Sequence, residues 1–178
     1  MRGRLAAVCL VGALLAAPRL VLAVDLVVEG CNELQPHEVG VREAVGNIAD
    51  TVRVAVTVNA IAPIAAFVLD VDVPPGVLSL VRAERGDLTA AWAVLSGHQF
   101  TATTPVRIGG FDPAHTIAAG SVGRLAVMVF VVTAAGTGAF GTSGLLDDLA
   151  NYISCEDVHN TSHITESEWG GIKALYYP

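Results

Sequence analysis

The stretch that decides the fold is Thr51-Val-Arg-Val-Ala-Val-Thr-Val58, in which every second residue is a valine. The residues between the valines are polar or small. Side chains of a β-strand point to opposite faces in turn, so this period of two places all four valines on one face. The pattern therefore predicts a strand with one face in a hydrophobic core and the other turned away from it.

Similar short segments occur on both sides of this strand. We predict them at residues 24–28, 65–73, 77–81, 92–95, 99–103, 106–111, 125–133 and 152–155. Ser96-Gly97-His98 is predicted to be the turn of a hairpin, and 125–133 is apolar on both faces, which favours a central strand. Because no segment has convincing helical periodicity, the sequence predicts an all-β fold, a jelly-roll β-sandwich of eight or nine mostly antiparallel strands.

Residues 1–23 are typical of a secretory signal peptide. Arg2 and Arg4 precede an apolar run over 5–17, and Val21-Leu22-Ala23 offers small residues at the positions a signal peptidase reads. The run is shorter than the ~20 residues that a membrane-spanning helix needs. We therefore expect cleavage after residue 23 and a secreted or periplasmic product that is not held in a membrane. The alternative is that residues 1–23 remain as an uncleaved anchor.

Cleavage makes the chain strongly acidic. The full sequence has a net charge of −7, and loss of three arginines leaves seven basic against seventeen acidic residues, a net charge of −10. Lys173 is the only lysine. Nucleic acids and anionic lipid surfaces require basic patches, so neither is an expected partner.

Two cysteines, Cys31 and Cys155, follow the leader. An even number of cysteines in an exported chain favours a disulfide, which here would close a loop of more than a hundred residues. Sequence alone does not supply the Cα separation that such a bridge requires.

The order and spacing of these segments resemble the cohesin family. The resemblance is carried by Thr51–Val58, by Ile64-Ala-Ala-Phe-Val-Leu-Asp-Val-Asp-Val-Pro-Pro-Gly-Val-Leu78, and by Val106-Arg-Ile-Gly-Gly-Phe111. A "G-x-L-A-x-x-x-F-x-V" segment, Gly123–Val132, follows. The match covers about 24–155, which we interpret as the single domain.

The resemblance implies a jelly-roll sandwich that binds dockerin modules, often in the assembly of polysaccharide-degrading enzymes. Carbohydrate-binding modules share this type of fold. The family's first and last strands lie side by side, so a bridge between Cys31 and Cys155 suits it. The sequence departs from the family at Val73-Pro74-Pro75, where a "Y-D-P" is usual, and in having this cysteine pair.

Four residues are candidate ligand contacts. Asp70 and Asp72 share the outward face of one predicted strand, where the alternative is an ordinary solvated sheet face. Trp92 and Phe100 are candidates for an exposed ring platform that stacks on sugars. The alternative for both rings is sandwich core, since large aromatics supply much of such a core. Phe67, Phe111 and Phe130 are expected in that core.

Nothing in the sequence requires catalysis or a cofactor. No Gly-x-Ser-x-Gly elbow occurs, and the histidines lie in predicted turns or polar stretches. The spacing of Cys155, His159 and His163 would align three metal-ligand types on a helix, but it differs from the usual structural zinc spacings, and we predict no metal site.

Three functions follow, in order of preference. The first is a secreted, non-enzymatic cohesin-like module that binds a dockerin-type protein, and the second is a carbohydrate-binding module that binds a polysaccharide. The third is a hydrolytic or metal-dependent enzyme that uses the histidine-rich C-terminal region. Residues 156–178 are interpreted as a polar tail or a short appended element.

Overall fold

The computed structural model describes residues 24–155. The predicted signal peptide 1–23 and the tail 156–178 lie outside the described residues. The described part is all-β and contains twelve strands. They are β1 Leu26–Glu29, β2 Glu38–Val41, β3 Ala44–Gly46, β4 Thr51–Asn59, β5 Ala66–Asp72, β6 Leu78–Arg85, β7 Val94–Gln99, β8 Val106–Phe111, β9 Val122–Val132, β10 Gly136–Ala139, β11 Gly141–Asp147 and β12 Ile153–Ser154.

Two sheets form the sandwich. One has the order β12-β2-β4-β9-β6 and the other the order β11-β5-β8-β7, with all pairs antiparallel except β12 and β2. From β4 onward the chain changes sheet at each connection of the sandwich except the hairpin between β7 and β8. This alternation between sheets is the jelly-roll pattern, and the predicted all-β sandwich is confirmed.

A third, smaller sheet has the order β10-β1-β3, with β1 parallel to β10 and antiparallel to β3. Because β1 belongs to this small sheet, it does not lie beside the last strand, which is the position expected for a first strand. The last strand, β12, lies beside β2 instead of β1. The predicted count of eight or nine strands is therefore too low. The strands that were missed, β2, β3, β10 and β11, are short or rich in glycine and give no clear alternation.

The core lies between the two large sheets. On β4 the side chains of Val54, Val56 and Val58 are fully buried, as their period of two predicts. On β9 six successive residues from Leu125 to Phe130 are buried. Since β9 lies between β4 and β6, its prediction as a central strand is confirmed.

The outward residues of β9 are covered by paired charges. Val129 is only 1% exposed and has Arg53 and Arg82 as its cross-strand neighbours. Both arginines bond to the carboxylate of Glu84, at 2.5 and 2.7 Å. We attribute the burial of Val129 to the aliphatic stems of these two arginines, which the shared carboxylate holds over it.

The predicted hairpin at Ser96-Gly97-His98 is wrong, because these residues lie in the middle of β7. They pair with β8 from Ser96 to His98 without interruption. A Cβ placed on Gly97 would lie 2.6 Å from the Cβ of Ala83 on β6. The glycine is present because β6 and β7 approach closely at the side of the sandwich, and not because the chain turns.

This contact gives a testable prediction. Gly97→Ala forces β6 and β7 apart and is expected to cost about 1–3 kcal/mol of folding free energy, as overpacking does elsewhere. Urea denaturation measures the loss, with the exposed neighbour Ser96→Ala as a control. Adding Ala83→Gly to Gly97→Ala is expected to recover part of the loss, and a neutral Gly97→Ala would contradict the close approach.

The disulfide between Cys31 and Cys155 is present, as predicted. The two Cα atoms lie 6.1 Å apart, within the usual range for such bridges. Cys31 follows β1, and Cys155 follows β12. The bridge lies against Gly40 of β2, where an added Cβ would meet the Cβ atoms of Cys155 and Cys31 at 3.0 and 3.1 Å. Gly40 thus makes room for the bridge.

Candidate functional site

The outer side of the sheet β11-β5-β8-β7, named here the four-strand face, carries an ordered pattern of exposed side chains. Its residues alternate with core residues along each strand. They are Ala66, Val68, Asp70 and Asp72 on β5, Arg107, Gly109 and Phe111 on β8, Val94, Ser96 and His98 on β7, and Ser143 and Leu146 on β11.

One half of this face is apolar. Phe111 is 53% exposed and is flanked in register by Ala66 and Val94. The next row places Leu146, 52% exposed, beside Val68. Exposed apolar side chains that are contiguous, and not scattered, are typical of interaction surfaces.

A shallow depression crosses the apolar half. Its volume is about 260 Å³, and Phe111, Gly109, Ser96 and Asp147 are among the residues that line it. Pockets for small ligands usually have larger volumes, roughly 300–1,000 Å³. The four-strand face is therefore shallow, and its shape suits contact with a protein surface better than enclosure of a small molecule.

The other half of the four-strand face is charged. Arg107 donates two hydrogen bonds to Asp70, at 2.8 and 2.7 Å, and this carboxylate raises the pKa of the guanidinium. Asp72 is exposed and accepts a hydrogen bond of 3.1 Å from the Ser143 hydroxyl. The predicted placement of Asp70 and Asp72 on one outward face is confirmed. Their role as ligand contacts stays a prediction.

The two predicted ring contacts differ in outcome. Trp92 is only 2% exposed, packs against Phe67 with ring centroids 5.6 Å apart, and donates its indole N–H to the carbonyl of His115. The prediction of Trp92 as part of an exposed platform is wrong, because its large ring completes the core beneath Gly110. Phe100 is 76% exposed, with the His98 ring against it at 4.5 Å.

Phe111 was expected in the core, and that prediction is also wrong. Along β8 the alternation buries Val106 and Ile108 and turns Arg107 and Phe111 outward. The signal that could have found Phe111 is therefore the same period of two that identified β4. Phe100 follows Gln99, the partner of Val106, and Phe111 lies five positions after Val106. At 3.3 Å per residue the backbone positions of the two phenylalanines are about 17 Å apart along the strands, so their rings do not form one platform.

A buried carboxylate anchors the end of the four-strand face. Asp112 is 5% exposed and accepts hydrogen bonds from the amides of Ala93 and Ala114, both at 2.9 Å, and from His115. The His115 ring nitrogen lies 3.0 Å away and does most to hold the pKa of Asp112 below its ordinary value. These bonds fix the segments that flank Phe111 and Val94.

Asp112 gives a prediction for pH dependence. Its pKa is lower in the folded chain than its ordinary value of 3.8, so its contribution to stability is complete above that value and is lost as the pH falls below it. Asp112→Asn is therefore expected to lower the Tm more at pH ~7 than at pH ~3. Thermal unfolding at the two pH values measures this, with the exposed Asp72→Asn as the control. A deficit that is equal at both pH values would contradict it.

The described residues offer no sign of a metal centre. No group of three His, Cys, Asp or Glu side chains within 24–155 is arranged to hold an ion. Of the Cys155, His159 and His163 cluster, the cysteine is in the disulfide and both histidines lie outside the described residues. Within the same range no helix has the length and hydropathy to cross a membrane.

Comparisons with known proteins give structural similarity alone. No family model matches the chain, and no curated protein matches it. The chain is similar in structure to cohesins. A chain of the CaDoc0917 variant–CaCohA2 complex at pH 5.5 matches with a TM-score of 0.47 and 18% identity, over 61% of this chain and 84% of that one.

Two further structures are similar. A non-cellulosomal cohesin from the hyperthermophilic archaeon Archaeoglobus fulgidus has a TM-score of 0.41 and 15% identity, over 65% of this chain and 90% of its own. The solution structure of CaCohA2 from Clostridium acetobutylicum has a TM-score of 0.45 and 22% identity, over 61% of this chain and 71% of its own.

Proposed function

We propose that this chain is a secreted, non-enzymatic, cohesin-like module that binds a dockerin-type protein partner through the four-strand face. The observation that carries the proposal is the contiguous apolar half of that face, centred on Phe111 and flanked by Val94 and Leu146. The dockerin-type partner, and its attachment to enzymes of extracellular polysaccharide degradation, are what the sequence resemblance implies.

The shape of the face supports a protein ligand over a glycan. Protein interfaces have an apolar centre that excludes water and a polar rim. Here the apolar rows adjoin the Asp70–Arg107 ion pair, which supplies part of such a rim. A glycan platform would need neighbouring exposed rings, and Phe100 and Phe111 lie near opposite ends of the paired strands β7 and β8.

The location proposed for the protein has its own test. If residues 1–23 are removed on export, the secreted protein begins at Val24 and contains 155 residues. Expression of the full chain in a bacterial host, followed by intact-mass measurement of the exported fraction, is expected to show this species. Ala23→Arg, which blocks the small-residue position, is expected to leave the leader attached. An exported product with an intact leader in the unmodified protein would contradict the prediction.

The function itself is tested by a binding panel. The mature protein is immobilised and offered purified dockerin modules and, in parallel, soluble polysaccharides. We expect saturable binding of at least one dockerin module and none of the polysaccharides. Binding of polysaccharides with no binding of a protein module would overturn the proposal and favour a carbohydrate-binding module.

A further inference from the structure

The depression in the apolar half of the four-strand face has one charged residue in its lining. Gly109 lies in an outward row between Val68 and Ser96, and because it has no side chain it leaves this space open. Asp147 is the only charged residue among the described residues that line the depression. The apolar side chains around it are those of Ala66, Val68, Val94 and Phe111.

Asp147 reaches the depression through a left-handed backbone conformation. It is opposite Phe67, which is fully buried, so strict alternation after the outward Leu146 would turn it into the core. Its φ is instead +58°, and the residue is exposed. Aspartate is one of the few residue types other than glycine that adopt this conformation readily. The backbone therefore holds a carboxylate at the outer face, beside apolar side chains.

The carboxylate of Asp147 is not neutralised within the described part of the chain. It takes part in none of the ion pairs within residues 24–155. The neighbouring Asp148 differs, because its carboxylate accepts hydrogen bonds from two backbone amides, at 2.7 and 3.0 Å. Arg107, on the same face, is bonded to Asp70. A negative charge thus remains available at an apolar depression.

Such a depression complements a side chain that has an alkyl stem and a cationic end. Lysine and arginine have this form, since their methylene stems pack on apolar surface while their charged ends stay in a polar environment. The exposed ring of Phe111 also attracts a cation that approaches its face. A neutral apolar side chain would fill the same space but would cover the carboxylate without pairing it, which is unfavourable.

We propose that the four-strand face binds a lysine or arginine side chain of its protein partner, with the alkyl stem in the depression and the cationic end at Asp147. The inference rests on the proposed function, because it names the chemical group of the partner that this face accepts. It makes Asp147 a specificity-determining residue, separate from the Asp70–Arg107 pair in the charged half of the face.

Small cations test the depression without any partner. The ¹⁵N-labelled mature protein is titrated with n-butylammonium, with n-propylguanidinium and with neutral n-butanol. We expect the amide shifts of Ser96, Gly109 and Phe111 to change with a cation, and n-butanol to bind about five-fold more weakly. Asp147→Asn, which also suits the left-handed backbone, should remove this difference. Equal binding of n-butanol and the cations to the unmodified protein, or no binding of either cation, would overturn the proposal.

Binding of a dockerin module found by the panel tests the group on the partner. Asp147→Asn is expected to weaken binding about ten-fold, and Asp147→Gly, which suits the same backbone, should weaken it as much. The matched control is Glu43→Gln, which removes an exposed carboxylate away from the four-strand face and should leave the affinity unchanged. Each lysine and arginine of the module is then changed to methionine, and one of these changes should lose its effect in the Asp147→Asn background.

The two measurements separate this inference from the proposed function. If no dockerin module binds, the proposed function fails, while the small cations still decide the chemistry of the depression. If a module binds and Asp147→Asn leaves its affinity equal to that of Glu43→Gln, the inference is overturned and the proposed function stands. The same holds if no basic residue of the module is coupled to Asp147.

Discussion

The double substitution Cys31→Ala with Cys155→Ala is expected to lower the free energy of unfolding by about 5 kcal/mol. The bridge joins residues 124 positions apart, so it restricts nearly the whole described domain in the unfolded state. In the chain-entropy model a loop of that length gives stabilisation of this size. Small domains have total stabilities of only about 5–15 kcal/mol, so the variant should lose from about a third to all of its stability.

Urea denaturation of the oxidised protein, the reduced protein and the variant measures this effect. We expect the reduced protein and the variant to unfold at the same low urea concentration, and the oxidised protein at a much higher one. Glu33→Ala, which changes an exposed side chain two residues after Cys31 without touching the sulfurs, serves as a control for local disturbance. A variant within ~1 kcal/mol of the oxidised protein would show that the bridge contributes little.

The second large effect concerns binding. Phe111→Ala is expected to weaken binding of the dockerin-type partner about thirty-fold, which corresponds to ~2 kcal/mol. Phe111 is the largest exposed side chain within the apolar rows of the four-strand face, and large aromatics at the centre of an interface contribute most of its binding energy. Val94→Ala, beside it in register, is expected to weaken binding about five-fold.

The matched control is Val81→Ala. Val81 is an exposed valine of β6, in the other sheet, and is 54% exposed against 41% for Val94. Its substitution should leave affinity unchanged, while thermal unfolding checks that all three variants are folded. Equal loss of affinity in Val94→Ala and Val81→Ala would place the binding surface elsewhere.

The sandwich could be predicted because its main strands show alternation. β4, β5 and β8 are found within one or two residues of their predicted limits, since valine or other apolar residues recur at every second position. β9 could be recognised as central because its apolar residues are continuous. In each case the residues of the strand itself determine which side chains are buried.

The errors occur where a residue's role is set by a distant part of the chain. Gly97 has the appearance of a turn residue, but its small size serves the contact with Ala83. Trp92 is buried because Phe67 and Gly110 lie against it, and neither is near it in sequence. The parallel pairing of β1 with β10 joins residues more than a hundred positions apart. No local sequence pattern predicts contacts between residues that are so far apart in the chain.

The candidate site was predictable only in part. Asp70 and Asp72 were placed correctly on the outward side of β5, since period two requires it. Phe111 was assigned to the core because large aromatics are usually buried, although its own strand alternation points it outward. For a residue on a regular strand, the phase of the alternation was thus a better guide than the residue type.

The most direct test of the account is an NMR titration of the ¹⁵N-labelled mature protein with a dockerin module that binds it. The account predicts that amide shifts change along the four-strand face, in β5, β7, β8 and β11, with the largest changes near Phe111 and Val94. Shifts confined to β4, β6 and β9, on the other side of the sandwich, would contradict it.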